Sequence, residues 1–334
     1  MILIVGGAGY VGSALCKKLS TKHNITIVDS GFFGLDGIKS LANEKKVKII
    51  NKDAFALTKE ELMGVKCIIN ISGLANDPMS EFNFDLNEKL NTKLPIHLAK
   101  LAKECGVEKY IFASTCSIYD FGTEDDSKDV LMDEESEVAP RKYYSISKRN
   151  AEIELLKLQD KKFDVIILRK ATVYGYSPRM RYDLVVNSFT KDSVSVGKMF
   201  LHGGGEVWRP MIDIEDVAEI YLRLVESNLK GIYNAVGSNI RVSEIALRVK
   251  ETLQEKGIKP ELVCEYNIPL SSLRSYRVSG KKLIKDLKFE PQGNIQSAVR
   301  NILENIEKIK DFNNPCYYNI RWMEKYLQYW LQYY

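Results

Sequence analysis

The chain has 334 residues, of which 45% are hydrophobic and 28% charged, a composition typical of a globular protein and not of a disordered one. A net charge of +4 does not indicate nucleic-acid binding, and the three histidines and six cysteines show neither a C-x-x-C pair nor zinc-site spacing. No apolar run approaches about 18 residues and no basic leader precedes the apolar start. We therefore predict a cytoplasmic protein with no nucleic-acid partner, no membrane partner and no metal.

The first half of the chain alternates short apolar runs with amphipathic stretches. The runs are continuous and do not alternate in polarity, which is typical of strands buried on both faces of a parallel sheet. We predict strands at 2–5, 24–28, 47–50, 67–71, 109–113 and 165–168, and helices at 11–19, 87–105 and 144–159. This order predicts an α/β fold with a Rossmann-type doubly wound parallel sheet and right-handed crossovers.

The second half of the chain has a weaker periodicity. One further strand is predicted at 232–236, and the remainder is predicted to be mostly helical. We predict a Rossmann domain at 1–176 with a return segment at 211–236, a smaller mixed α/β substrate-binding lobe at 177–210 and 237–312, and an aromatic C-terminal helix at 313–334. The aromatic residues of that helix recur at helical spacing, so the helix either packs on the body of the fold or contacts another protein.

Three glycines between the first strand and the first helix predict a dinucleotide site. Gly6 allows the tight turn, Gly9 lets the backbone approach a pyrophosphate, and Gly12 lets the helix and the sheet pack closely. The free N–H groups at the helix N-terminus would face the phosphates. Asp29 ends the second strand, where a carboxylate binds both ribose hydroxyls of NAD and repels the extra phosphate of NADP. The alternative for Asp29 is a carboxylate that only opens a turn.

Other strand ends should face the same cofactor, because ligands of such sheets bind at the carboxyl ends of the strands. Asp53 ends the third strand, where the adenine would lie. Ile71, Ser72 and Gly73 end the fourth strand and would line the cofactor.

Tyr144 and Lys148 form the candidate catalytic pair. They lie four residues apart on a predicted helix, so they share a face. A nearby ammonium lowers the pKa of a phenol, which would let Tyr144 accept a proton from a sugar hydroxyl as hydride leaves the carbon. The fifth strand runs into Thr115, which can polarise the reacting oxygen; Ser114 and Ser117 are the alternatives. A surface Tyr–Lys pair and ordinary turn-forming hydroxyls remain the alternative interpretations.

Together these residues resemble the extended short-chain dehydrogenase/reductase family, which includes UDP-galactose 4-epimerase and nucleotide-sugar dehydratases. The resemblance rests on the glycine triplet, Asp29, segment 114–119 and the Tyr144/Lys148 pair, and it continues through segments 168–175 and 209–217. Segments 76–79 and 176–184 are similar to a branch of bacterial nucleotide-sugar epimerases and 4-dehydrogenases. The resemblance implies NAD as cofactor, a nucleotide-diphosphate sugar as substrate, and a homodimer that pairs through helices 87–105 and 144–159.

Carried over by position, the resemblance implies roles for individual residues. Thr115, Tyr144 and Lys148 would be catalytic, and Arg209 and Arg274 would hold the diphosphate. The predicted cofactor-binding residues are Gly6, Gly9, Tyr10, Val11, Gly12, Asp29, Asp53, Ala54, Ile71, Ser72, Gly73, Asn91, Tyr144, Lys148 and Val173. The predicted substrate-binding residues are Thr115, Ser117, Thr172, Asn187, Phe200, Arg209 and Arg274.

The reaction implied by the resemblance starts with removal of hydride from C4 of the sugar. A 4,6-dehydratase would carry Asp-Glu directly after the catalytic threonine, but Cys116 and Ser117 stand there. We therefore expect a 4-epimerase, with a 4-dehydrogenase as the main alternative and an NADPH ketoreductase or a 4,6-dehydratase after it. An NAD-binding regulator is the non-enzyme alternative. The chain departs from the family pattern at Asp120, Lys170 and Asp213, which stand where glycine, an aromatic residue and histidine are usual.

Overall fold

A computed structural model describes residues 1–120, 130–267, 274–307 and 311–332 of the chain. The strands are β1 Ile2–Val5, β2 Ile25–Asp29, β3 Val47–Asn51, β4 Cys67–Asn70, β5 Lys109–Thr115, β6 Leu131–Met132, β7 Asp164–Lys170, β8 Thr172–Tyr174, β9 Lys198–His202, β10 Trp208–Asp213, β11 Gly231–Ala235, β12 Ser238–Arg241, β13 Glu261–Glu265 and β14 Arg277–Val278. The α-helices are α1 Tyr10–Ser20, α2 Asp77–Phe82, α3 Phe84–Glu88, α4 Leu94–Glu104, α5 Tyr143–Leu156, α6 Val185–Ser195, α7 Ile214–Glu226, α8 Val242–Gln254, α9 Lys281–Leu287, α10 Ile295–Ile306 and α11 Asn319–Leu331.

A seven-stranded parallel sheet forms the centre of the molecule, in the order β11-β7-β5-β4-β1-β2-β3. The chain starts in the middle of this sheet, winds to one edge through β2 and β3, and then crosses back to build the other half from β4 onward. This is the Rossmann-type doubly wound sheet that the sequence predicts, so the predicted fold class is confirmed. The segment 211–236 returns to the sheet and adds α7 and the edge strand β11.

The helix predicted at 87–105 contains an irregular turn. Its first part is α3, the turn Lys89–Lys93 is π-helical, and α4 follows with Pro95 in its first turn. Proline has no N–H to donate to the carbonyl four residues earlier, and the wider π turn accommodates this missing hydrogen bond.

The second half of the chain contains more strand than the sequence predicted. β12, β10 and β8 form a three-stranded sheet, β13 pairs with β9, and β14 pairs with β6. The regular structure after residue 236 is mostly helical, as expected, but the short strands β12 and β13 also lie there. Such strands of four or five residues on small sheets bury too few side chains to leave a clear apolar run in the sequence.

Two apolar clusters cover the two faces of the large sheet, and a third lies among α6, α8 and α10 of the lobe. A fourth cluster fixes the C-terminal helix to the body of the fold: Met323 and Leu327 of α11 are buried against Leu74, Met79 and Leu86. Of the two roles that the aromatic spacing allowed, the structure thus shows packing of the C-terminal helix on the body of the fold. In the described part of the chain, every helix is too short or too polar to span a membrane.

Candidate active site

A cavity of about 410 Å³ opens at the carboxyl ends of the central strands. One end is lined by the loop between β1 and α1 and by the residues that follow β2, and the other end by the termini of β5 and β7 and the start of α5. This is the place where ligands of doubly wound sheets bind, because the loops after adjacent strands diverge there.

The glycine loop has the backbone geometry that its sequence predicts. Gly6 has a φ of +88°, and a Cβ on it would lie 2.7 Å from the backbone of Ser72. A Cβ on Gly12 would lie 2.4 Å from the Gly6 carbonyl oxygen. At Gly9, by contrast, the nearest atom would be 3.5 Å away, so this face of the loop is open to the cavity. The loop can therefore admit a group the size of a pyrophosphate against its backbone.

Helix α1 begins directly at this opening. Its N-cap is Gly9, no side chain caps it, and its first turn contains no acidic residue. The N–H groups of the first turn and the positive end of the helix dipole are thus available to an anion. Together with the open glycine face, this arrangement fits the pyrophosphate of a dinucleotide.

Asp29 lies at the end of β2 on the wall of the same cavity. Its two carboxylate oxygens accept hydrogen bonds of 2.9 Å from the backbone N–H groups of Ala8 and Gly31. Burial raises the pKa of Asp29, and these two hydrogen bonds oppose the rise. Each oxygen keeps a further lone pair for a ribose hydroxyl. The carboxylate is therefore oriented by the backbone, which fits a ribose-binding role better than a simple turn-opening role.

The predicted adenosine end of the cavity is lined by Asp53 and Ala54 and by the three residues Ile71, Ser72 and Gly73. Asn91 is buried behind this wall and does not line the cavity. Its amide donates to the Leu74 carbonyl and to the Asn87 side chain, and a Cβ on Gly73 would collide with its oxygen. The structure thus places Asn91 as a support of the wall.

Aromatic residues that the sequence did not indicate as site residues also line this end. Phe32 and Phe33 follow β2, and Trp330 comes from the C-terminal helix. The rings of Phe32 and Trp330 meet edge to face at 5.0 Å, and the Trp322 indole donates a hydrogen bond of 2.6 Å to the Phe32 carbonyl. The C-terminal helix is therefore part of the cavity wall, and only its aromatic spacing could have suggested a role.

Thr115, Tyr144 and Lys148 come together at the opposite end of the cavity. The Thr115 hydroxyl hydrogen-bonds the Tyr144 side chain, and it lies 2.9 Å from the Ser117 hydroxyl. The Lys148 ammonium lies 4.8 Å from the centre of the Phe112 ring. The structure thus brings together the three residues that the sequence proposed as catalytic, with Ser117 beside them, while Ser114 bonds elsewhere.

Burial dominates the electrostatics of this end. It raises the pKa of Tyr144 to about 12, and the hydrogen bond from Thr115 and the charges of Arg181 and Arg274 oppose the rise. Burial also lowers the pKa of Lys148 to about 7, and the charge of Lys170 lowers it further. In the protein alone, the cost of burying a phenolate therefore outweighs the groups that lower the pKa of Tyr144.

A buried ion pair anchors the catalytic helix to the sheet. Glu152 lies one helical turn after Lys148, and it accepts hydrogen bonds of 3.0 and 2.7 Å from the Arg169 guanidinium of β7. Glu152 also accepts one of 2.5 Å from the Ser114 hydroxyl. Since both partners are almost fully buried, this network fixes the position of the helix relative to the strand ends.

Charged groups lie where Asp77 and Arg274 line the cavity. The Arg274 guanidinium forms ion pairs with both Asp77 and Asp120. Burial raises the pKa of Asp120 to about 6, and the charges of Arg274 and Arg209 oppose the rise. Arg274 lines the cavity directly, whereas Arg209 lies behind it near Tyr276. Arg209 and Arg274 therefore lie close enough together for their charges to interact.

The other predicted substrate residues divide into two groups. Thr172 and Ser117 line the cavity, and Val173, predicted for the cofactor, lies next to Thr172 on β8. Asn187 does not line it; its buried side chain bonds the Gly175 backbone and the Tyr10 hydroxyl. Phe200 is 41% exposed on β9 and lies apart from the cavity. In the described ranges, no group of three or more His, Cys, Asp or Glu side chains could hold a metal ion.

A family model for the NAD dependent epimerase/dehydratase family matches residues 2–235. The chain belongs to this family. The family description names NAD, so the predicted cofactor is confirmed, and the geometry of the glycine loop and of Asp29 fits it. When bound, NAD supplies the hydride acceptor and donor of this enzyme family.

Curated proteins and solved structures agree with this family. The chain is 28% identical over 228 residues to an uncharacterized UDP-glucose epimerase, YtcB, of Bacillus subtilis, covering 64% of this chain and 69% of that protein. It is 25% identical over 323 residues to the human dTDP-D-glucose 4,6-dehydratase, covering 91% and 89%. The UDP-glucuronic acid 4-epimerase of Bacillus cereus, solved with UDP-glucuronic acid and NAD, has the same fold, with a TM-score of 0.79, 19% identity, and coverage of 92% and 99%.

Proposed function

We propose that this member of the family modifies the sugar of a nucleotide-diphosphate sugar by removing hydride from C4. The observation that carries the proposal is that Tyr144, Thr115 and Lys148 line the same cavity as the glycine loop and Asp29. A proton acceptor and a nicotinamide must reach one carbon together for such a step, and a single cavity that holds both sets of residues allows it.

In this mechanism Tyr144 takes the proton of the C4 hydroxyl as hydride leaves C4, and Thr115 bonds the same oxygen. The phenol has a pKa of about 12 in the protein alone, so the step needs added positive charge beside it. An oxidised nicotinamide bound beside the phenol would supply that charge, because the value for the protein alone already includes Lys148. The reverse transfer returns the proton from Tyr144 to the oxygen.

A nucleotide sugar is the proposed substrate class. Arg274 and Arg209 lie on the substrate side, and guanidinium groups pair bidentately with phosphate. The curated relatives are named for UDP-glucose and dTDP-D-glucose, which supports the same class. Because Arg274 pairs with Asp77 and Asp120, a diphosphate would have to compete with two carboxylates for it.

We propose 4-epimerisation as the net reaction. A 4,6-dehydration needs a second acid/base pair near the catalytic threonine. Cys116 fills the next position, but its thiol is buried and donates to the Arg169 carbonyl at 3.2 Å, and burial raises its pKa. Ser117 follows and has no acidic group. The remaining alternatives are 4-oxidation, reduction of a keto sugar with NADPH, which the Asp29 carboxylate disfavours, and an NAD-binding regulator without turnover.

The test is incubation of the NAD-loaded protein with UDP-, GDP-, CDP- and dTDP-sugars in D₂O, with products identified by NMR. Epimerisation would give C4 stereoisomers without deuterium on carbon, because the same hydride returns. Dehydration would place deuterium on the sugar, and 4-oxidation would leave reduced cofactor that absorbs near 340 nm. Tyr144→Phe is the matched control: it should bind NAD normally but lose turnover by about 10²–10⁴-fold. Unchanged turnover in this variant would contradict the proposal, and a protein that binds NAD but turns over no sugar would support the regulator.

We further propose a cytoplasmic homodimer. Phe82, Phe84, Tyr143 and Ile153 are each between 40% and 51% exposed, and the rings of Phe84 and Tyr143 meet at 4.2 Å. These residues lie on or beside α5, one of the two helices predicted to pair, so they would provide an apolar contact surface. Light scattering on the protein and on a Phe84→Glu variant would test this, since the variant should be monomeric.

A further inference from the structure

Lys170 lies beside the proposed reacting groups, and the mechanism above does not use it. It ends β7 in register with Thr115 of β5, and it lines the same cavity as Lys148. In the described part of the chain, its ammonium has one hydrogen bond, a long one of 3.4 Å to the Ser114 carbonyl, and no carboxylate pairs with it. Lys170 therefore carries a positive charge into the cavity that its described surroundings do not neutralise.

Lys109 of the neighbouring strand β5 differs from Lys170 in how its ammonium is hydrogen-bonded. Lys109 is buried, and its ammonium donates to three carbonyl groups at the C-terminal end of α7, those of Leu224, Val225 and Ser227. That end of a helix carries partial negative charge, so Lys109 is satisfied on all three N–H groups. Lys170 is instead half-buried, lines the cavity and makes one long hydrogen bond, so its charge is available to act on a ligand there.

The charge of Lys170 reaches the catalytic end of the cavity. It is the largest cause, after burial, of the lowered pKa of Lys148, so the two ammonium groups are close enough to repel each other. A nicotinamide bound near Lys148 would feel both charges. The oxidised ring is positive and the reduced ring is neutral, so the nearby ammonium of Lys170 disfavours the oxidised form.

We propose that the positive charge of Lys170 strengthens the binding of NADH relative to that of NAD⁺. The charge thereby favours the removal of hydride from the sugar. This inference rests on the proposed function. In the step concerned, the C4–H bond breaks, its electron pair moves with the hydrogen to the nicotinamide ring, and the hydroxyl proton goes to Tyr144. The ring thereby loses its positive charge, which relieves its repulsion with Lys170.

The test compares the dissociation constants of NAD⁺ and NADH, without sugar, for the wild-type protein and for Lys170→Met, Lys170→Gln and Lys170→Arg. In the wild type NADH should bind more tightly than NAD⁺. The ratio of the two constants should fall about tenfold in the Met and Gln variants, as expected of one unit charge within about 10 Å at an effective dielectric constant of about 20. The Arg variant, which keeps the charge, should preserve the ratio.

A purely structural role for Lys170 would change both dissociation constants by the same factor and leave the ratio unchanged, and this result would overturn the inference. The same ratio in Met and Arg variants would also overturn it. Two neutral variants are used so that a failure of one to fold does not decide the question. A wild-type protein that bound neither nucleotide would instead overturn the proposed function, and this inference with it.

Discussion

Alanine substitutions in the glycine loop test the cofactor site, because the two changes should have different effects. Gly9→Ala should impair NAD binding, whereas Gly12→Ala should destabilise the fold. At Gly12 the new Cβ would lie 2.4 Å from the Gly6 carbonyl oxygen and 2.7 Å from the Gly7 backbone, well inside the 3.4 Å of an ordinary contact. Rigid backbone atoms, and not a flexible side chain, would have to move. Such overpacking costs about 1–3 kcal/mol, against a gain of up to about 1 kcal/mol for alanine over glycine in a helix. We expect Gly12→Ala to lower the free energy of unfolding by about 1–2 kcal/mol.

At Gly9 the backbone is extended, with φ −73° and ψ −179°, so alanine is allowed there. Its Cβ would meet only the Gly6 carbonyl oxygen, at 3.5 Å. A weaker N-cap and a less flexible unfolded chain oppose each other, so stability should stay within about 0.5 kcal/mol. The methyl group would nevertheless project into the space proposed for the pyrophosphate, and NAD affinity should fall at least about tenfold.

Urea unfolding without nucleotide measures the stability of both variants, and isothermal titration calorimetry measures NAD binding. The expected pattern is a stable Gly9→Ala protein that binds NAD poorly and a destabilised Gly12→Ala protein. If Gly9→Ala bound NAD as tightly as the wild type, the pyrophosphate would not lie over this residue and the proposed placement of the cofactor would be wrong. If Gly12→Ala had the same midpoint urea concentration of unfolding as the wild type, the close helix–sheet contact would not matter for stability.

Three further predictions concern the surroundings of the site. Trp330→Ala should weaken NAD binding by about tenfold through the lost aromatic wall, whereas Tyr329→Ala, at a residue 66% exposed, should leave it unchanged in the same titration. Glu152→Ala should lower the free energy of unfolding by about 3–5 kcal/mol because it leaves a buried guanidinium unpaired, and the exposed Glu154→Ala should change it by less than about 0.5 kcal/mol. Burial raises the pKa of Asp213 to about 7, so the native protein holds a proton that the unfolded chain has lost, and stability should fall as the pH rises from about 4 to about 7. In urea unfolding across that range, Asp213→Asn should reduce this decrease; an unchanged slope would contradict the assignment.

The parts of the site that the sequence predicted are those that local spacing determines. The spacing of Gly6 and Gly12 is that of a tight turn between a strand and a helix. The spacing of four residues places Tyr144 and Lys148 on the same face of a helix. The large parallel sheet was predictable for a related reason, since each of its strands is a continuous apolar run.

The residues that sequence reasoning missed reach the cavity from distant parts of the chain. Trp330 meets Phe32 across almost the whole sequence, and Asp77, which was not predicted, meets Arg274, which was. No local periodicity relates such pairs, because their contact depends on how α11 and the lobe pack on the sheet. Phe200 shows the reverse case: a residue expected at the substrate lies on β9, which pairs with β13, and it does not line the cavity.

The end of β7 shows how small a structural difference separates a residue of the scaffold from a residue of the site. Successive side chains of a strand point to opposite faces, so Arg169 and Lys170 must diverge although both are cationic. Arg169 points into the fold, where Glu152 neutralises it, and Lys170 points to the cavity beside Thr115. The sequence alone does not show which of the two is neutralised, because that depends on where Glu152 lies in space. A cation that the scaffold neutralises can contribute only to stability, whereas its unneutralised neighbour can act on the charge of whatever the cavity binds.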